Sequence, residues 1–157
     1  RCLTACQVLA IEMREKAFIR QDICVGCSRC VAVCPVQAIS INWDASSDSV
    51  QKKMAEYAFG TVNALKKRIL YINILTSIVD ACDCYPGNSA PIVSDIGFLA
   101  STDPVAIDKA SYDLVIKTNN MEDPFKKVYP HIDSLISLTH AAKIGAGTLD
   151  YNLIKID

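Results

Sequence analysis

Apolar residues recur along this chain at two distinct spacings. Val50, Met54, Tyr57, Ala58, Val62 and Leu65 follow each other at three and four positions, the spacing of one helix face. The pattern predicts a helix over about residues 48–67. A polar linker, Asp44 to Asp48, precedes it, and Lys66-Lys67-Arg68 end it with cations that suit the negative end of a helix dipole. Leu9–Met13 and Ala17–Arg20 predict a hairpin around Arg14-Glu15-Lys16, and Ile39–Trp43 alternates like a strand. Ile69–Leu75 reads as a buried strand and Ile96–Ala100 as a second apolar one. Asp103-Pro104 supplies a capping carboxylate and then a proline at the first helical position. The helix it opens runs to about Thr118, burying Val105, Ile107, Ala110 and Val115 among others, and stops at Asn119-Asn120. Met121–Pro130 reads as an exposed polar loop, His131–Lys143 as a helix stopped by Gly145, and Leu149–Ile156 as a last strand. Mixed order of this kind implies an α/β (α+β) chain, a sheet layer covered by helices. The chain divides near residue 44 into a small module, 1–43, and an α/β domain, 44–157.

The small module carries the most specific pattern. Cys24, Cys27, Cys30 and Cys34 stand in a C-x2-C-x2-C-x3-C-P run that ends at Pro35, and it resembles the cluster motif of bacterial ferredoxins. A short helical turn, Cys27 to Cys34, is expected within it. A loop with a thiol at every third residue can wrap successive corners of a cubane. Gly26 frees the backbone at the closest approach, and Pro35 stops the turn. A zinc site more often shows C-x2-C knuckles far apart in sequence. In two-cluster ferredoxins the fourth cysteine of such a run ligates the other cluster.

That rule calls for a second run, and the first residues supply its tail. Arg1 to Ile11 laid over Arg29 to Ile39 brings Arg, Cys, Cys, Val, Ala and Ile into register. Cys2 then stands as a third cysteine and Cys6 as a fourth, with Gln7 where a proline is expected. By the crossover rule Cys6, Cys24, Cys27 and Cys30 make one complete 4Fe–4S set. Cys2 and Cys34 are half of another. The expectation is a piece of a longer protein with two clusters, of which at most one is intact here.

Composition narrows the classes. Hydrophobic residues make up 51% of 157, enough for a core and against disorder. Net charge is −1; residues 1–43 carry five basic and three acidic side chains, and residues 44–157 eleven and fourteen. Neither part has the basic excess of a nucleic-acid binder. No run nears about 18 uninterrupted apolar residues, so no membrane span is expected. Cluster thiolates need a reducing compartment, which implies the cytoplasm.

Residues Asp83-Cys84-Tyr85, Ala90 to Gly97 and Ala100 to Ala110, with Lys143-Ile144-Gly145-x-Gly147-x-x-x-Tyr151, resemble the iron–sulfur centre proteins built on domain of unknown function 362. The resemblance covers nearly the whole chain. It implies a double ferredoxin motif ahead of this segment and a larger N-terminal portion packing on it. It does not imply a reaction.

Cys82 and Cys84 place two thiols in a loop, Asp80–Asp95, longer than the usual connection of about 4–6 residues. They can bind a metal with Asp95, act as a redox pair, or complete the half set; inert cysteines are the plain alternative. Asp95 reads equally as a turn residue, and Asp103 as a helix cap. Asp95, Asp103 and Asp108 can also line a pocket with Cys82 and Cys84. His131 and His140 read as surface or packing residues, and Trp43 and Tyr57 as core. Arg29 can tune a cluster through charge or stand solvated. Two functions follow. One is one-electron transfer to or from a redox site in a larger protein, whose partner the sequence does not name. The other is a ligand- or metal-binding protein whose clusters are structural. An oxidoreductase with an unidentified substrate lies between them.

Overall fold

A computed structural model describes residues 1–40, 47–65, 69–81, 87 and 89–156. Helices combine with two small antiparallel sheets, so the class is α+β. The chain forms two compact units, Arg1–Ala45 and Ser46–Asp157.

In the first unit a short helix α1, Cys2–Ala5, packs against α2, Arg29–Ala32. Between them in sequence β1, Ile11–Met13, pairs with β2, Ala17–Ile19, in the register Ile11↔Ile19 and Met13↔Ala17. The turn is closed by the Arg14 N–H donating to the Lys16 carbonyl at 3.1 Å, and the Arg14 guanidinium lies 3.9 Å over the Phe18 ring. Ala10 and Ile11 are the buried apolar residues of this unit among those described. The helical turn expected over Cys27–Cys34 is confined to α2. Ile39 and Ser40 are not in a strand; the rest of the expected strand, Trp43 included, lies outside the described residues.

In the second unit α3, Ser47–Ala64, packs on α6, Ile136–Lys143. The linker ahead of Ser47 and the cations Lys66-Lys67-Arg68 lie outside the described residues. The packed face of α3 is Ala55, Phe59 and Val62; of the stripe predicted from sequence it keeps Val62 and not the rest. Val50, Met54, Leu65 and Tyr57 are exposed, Tyr57 at 68%, so Tyr57 is not core. The small Ala55 lets α6 approach, and that contact decides which face is buried. β3, Tyr71–Leu75, pairs antiparallel with β4, Gly97–Ser101, and α4, Pro104–Thr118, covers one side of the pair. Asn73 ties β3 to α4, its Nδ2 donating to Asp108 Oδ1 at 2.8 Å and Ser111 Oγ at 2.9 Å. Ile72, Ile74 and Phe98 face away from α4 and are exposed. The Ile69–Leu75 run is therefore not buried on both faces, because a helix covers only one. Met121–Pro130 is not merely a loop: it holds α5, Pro124–Val128, capped by Asp123, whose Oδ1 accepts from Phe125 N at 2.9 Å. The helix expected from His131 starts only at Ile136. Leu149–Ile156 alternates but has no partner strand among the described residues and forms none.

Candidate metal centre

The first unit repeats itself in its backbone. Ala5 N donates to Arg1 O at 3.0 Å, and 28 positions on Val33 N donates to Arg29 O at 3.2 Å. Cys6 N to Leu3 O, 3.4 Å, is matched by Cys34 N to Val31 O, 3.3 Å; Leu9 N to Cys6 O, 3.2 Å, by Gln37 N to Cys34 O, 3.3 Å. Leu9 and Gln37 both take positive φ, 53° and 49°. The backbone turns back over each fourth cysteine and aims an N–H at its sulfur: Ala10 N to Cys6 Sγ and Ala38 N to Cys34 Sγ, both 3.2 Å. Nothing in the side chains of Ala10 and Ala38 announces this role. The register of the repeat is the available signal.

Local turns deliver the other thiols. The Arg20 carbonyl accepts from Ile23 N at 3.2 Å and Cys24 N at 2.9 Å, which sets Cys24 one turn beyond the hairpin. Gly26 has φ +70°, and a Cβ there would meet no atom within 4 Å; its left-handed backbone is what asks for glycine. Ser28, at φ 55°, caps α2 with its carbonyl, which accepts from Val31 N at 3.0 Å.

Cys6, Cys24, Cys27 and Cys30 line one hollow. Val8, Ala10, Ile11 and Ile19 are apolar residues that line it, and Ser28 and Arg29 line it too. Cys27 is exposed and the other three are half-buried. The thiols spread around the hollow; among the described residues no three His, Cys, Asp or Glu converge on a single ion. Cys34 points elsewhere, into an open hollow with Arg1, Thr4, Ala5 and Val33, and Cys2 is in the wall of neither. The six described cysteines are all free thiols. The N–H groups of Ala38 and Val36 hold the Cys34 thiol below its ordinary pKa. A depressed pKa keeps Cys34 a thiolate at lower pH than a free cysteine. In metal-free protein, iodoacetamide should therefore label Cys34 at a pH where a model thiol is still protonated, as read by mass spectrometry across pH. Onset no earlier than that of free cysteine would refute it.

The described carboxylates of the second set of candidates each have a local partner. Cys82 and Cys84 lie outside the described residues. Asp95 Oδ1 accepts from Ser77 N at 2.7 Å and closes the turn after β3. Asp103 caps α4, accepting from Val105 N and Ala106 N at 2.9 Å each, and Asp108 holds Asn73. His140 Nε2 lies 2.9 Å from Glu56 Oε1 between α6 and α3, while His131 is exposed.

The profile of the Domain of unknown function (DUF362) family matches residues 11–113, more than half of the sequence, and the chain belongs to that family. It is also similar to hydrogenase-4 component A of Escherichia coli, 38% identical over 66 residues, 41% of this chain and 30% of that protein. A component of the ion-translocating oxidoreductase complex of Shewanella pealeana is 47% identical over 30 residues, 19% and 16% of the two chains. A ferredoxin of Pyrobaculum islandicum is 41% identical over 39 residues, 25% and 36%. The chain thus spans about a third or less of each of these relatives. No solved structure matches it.

Proposed function

We propose that the first unit holds one 4Fe–4S cluster on Cys6, Cys24, Cys27 and Cys30 and passes single electrons through it. The observation that carries this reading is that Cys6, from the first repeat, shares a hollow with three cysteines of the second. Similarity to a ferredoxin and to components named for hydrogenase and ion-translocating oxidoreductase complexes supports an iron–sulfur cofactor and an electron-transfer role. The donor set fits. Thiolates are the ligands of iron–sulfur clusters, and a cluster with several irons takes them around its periphery rather than at one point.

The bound group supplies a one-electron couple. The chain supplies the rest. Ala10 N–H donates to the Cys6 sulfur and draws charge from it, the kind of bond that sets a cluster potential. The wall of Val8, Ala10, Ile11 and Ile19 keeps water from one side. The exposed Cys27 would leave the bound group within reach of a partner. Cys2 and Cys34 are assigned to a second, incomplete set, and Cys82, Cys84 and Asp95 to a further metal or redox site. The partner is a redox protein or domain of a larger assembly, in a reducing compartment such as the cytoplasm. No helix among the described residues is long and apolar enough to cross a membrane. A purely structural cluster is the second reading, favoured by how few apolar residues of the first unit are buried among those described.

The two readings separate on reduction. Anaerobically reconstituted protein treated with dithionite should lose its visible absorption, gain a paramagnetic signal, and recover both features on reoxidation. A cluster that is bound but never reduced would establish the structural reading.

A further inference from the structure

Arg29 is the charged residue among those that line the cysteine hollow; every other one is apolar, a serine or a cysteine. It opens α2, one residue before Cys30 and two after Cys27, fixed there by the left-handed Ser28. Nearby charges are spoken for. Arg20 pairs with Asp22 at 2.8 Å and Arg14 with Glu12 at 3.0 Å. Arg29 makes no ion pair among the described residues. The repeat places Arg1 likewise in the wall of the hollow of Cys34. An arginine therefore stands at each fourth-cysteine hollow, and at neither is it consumed by a carboxylate among the described residues.

We propose that Arg29 sets the reduction potential of the centre held by Cys6, Cys24, Cys27 and Cys30, stabilising its reduced form by charge. The inference rests on the cluster reading. One electron enters, from dithionite or an electrode, and iron is reduced; no bond forms or breaks and no proton moves. The electron adds one negative charge to a group that is already anionic. A positive charge carried one residue from Cys30 is attracted more strongly to the reduced form than to the oxidised one, which raises the potential. Arg29 is exposed, so salt weakens the effect.

The test is voltammetry of the reconstituted full chain as wild type, Arg29→Gln, Arg29→Ser and Arg29→Lys, at low salt and at about 1 M, where the Debye length falls to about 3 Å. Each loaded protein is checked for iron and sulfide. The neutral variants should keep the cluster and show a lower potential at low salt, with the gap narrowing at high salt. Arg29→Lys should stay near wild type. A wild-type potential in loaded Arg29→Gln would overturn the proposal, and so would a gap indifferent to salt or an equal shift in Arg29→Lys. Loss of the cluster from both neutral variants would overturn it too, since Arg29 would then hold the loop. A wild-type chain that takes up no iron and sulfide is a different result: it removes the cluster reading itself and this inference with it.

Discussion

Cys6→Ala should strip the reconstituted chain of its cubane or leave only a three-iron remnant, whereas Cys34→Ala should leave the cubane intact. Both cysteines end a helical turn, both accept an alanine N–H at 3.2 Å, and both are half-buried. Only Cys6 shares a hollow with Cys24, Cys27 and Cys30. By position in the motif, Cys34 is the nearer relation of those three. The pair of variants therefore separates ligation by place in space from ligation by place in sequence. Iron and sulfide analysis with electron paramagnetic resonance reads the outcome. Loss of the cluster in Cys34→Ala with retention in Cys6→Ala would reverse the assignment.

The second large effect is on stability and lies in the second unit. The Asp103 carboxylate accepts three hydrogen bonds: it caps α4 through Val105 N and Ala106 N, and accepts from Thr148 N at 3.0 Å, which ties the segment after α6 back to the start of α4. Gly147 makes room for it. A Cβ there would lie 2.8 Å from Asp103 Cγ. Asp103→Ala should cost about 2 kcal/mol, a lost cap plus the lost tie to Thr148. Gly147→Ala should cost about 1–3 kcal/mol as an overpacked contact. The double variant should cost less than the sum, since removing the carboxylate removes the clash. Urea unfolding of the four proteins measures this. Strict additivity would mean that the two residues do not meet.

Much of the fold follows from signals local in sequence. Asp103-Pro104 marks the start of α4 because a cap and a fixed proline φ need no distant partner. The same pair at Asp123-Pro124 opens α5, a signal that the polar composition of the surrounding segment obscures. What local pattern misses is set by contacts far along the chain. α3 offers more than one apolar stripe, and the arrival of α6 at Ala55 and Phe59 selects the buried one. Leu149–Ile156 alternates like a strand, yet a strand exists only where another offers its hydrogen bonds. For the site, cysteine spacing points to Cys24, Cys27 and Cys30, and the repeat points to Cys6. The backbone N–H of Ala10 is beyond the reach of sequence, since a main-chain donor leaves no mark on residue type.

The central claim is that four thiols around one hollow hold a cluster of iron and inorganic sulfide. Anaerobic reconstitution of the full chain with iron and sulfide, followed by metal and acid-labile sulfide analysis, tests it most directly. About four irons and four sulfides per chain are expected, the composition of one 4Fe–4S centre. Zinc bound without sulfide, or the same iron and sulfide content after Cys6, Cys24, Cys27 and Cys30 are replaced together by alanine, would contradict it.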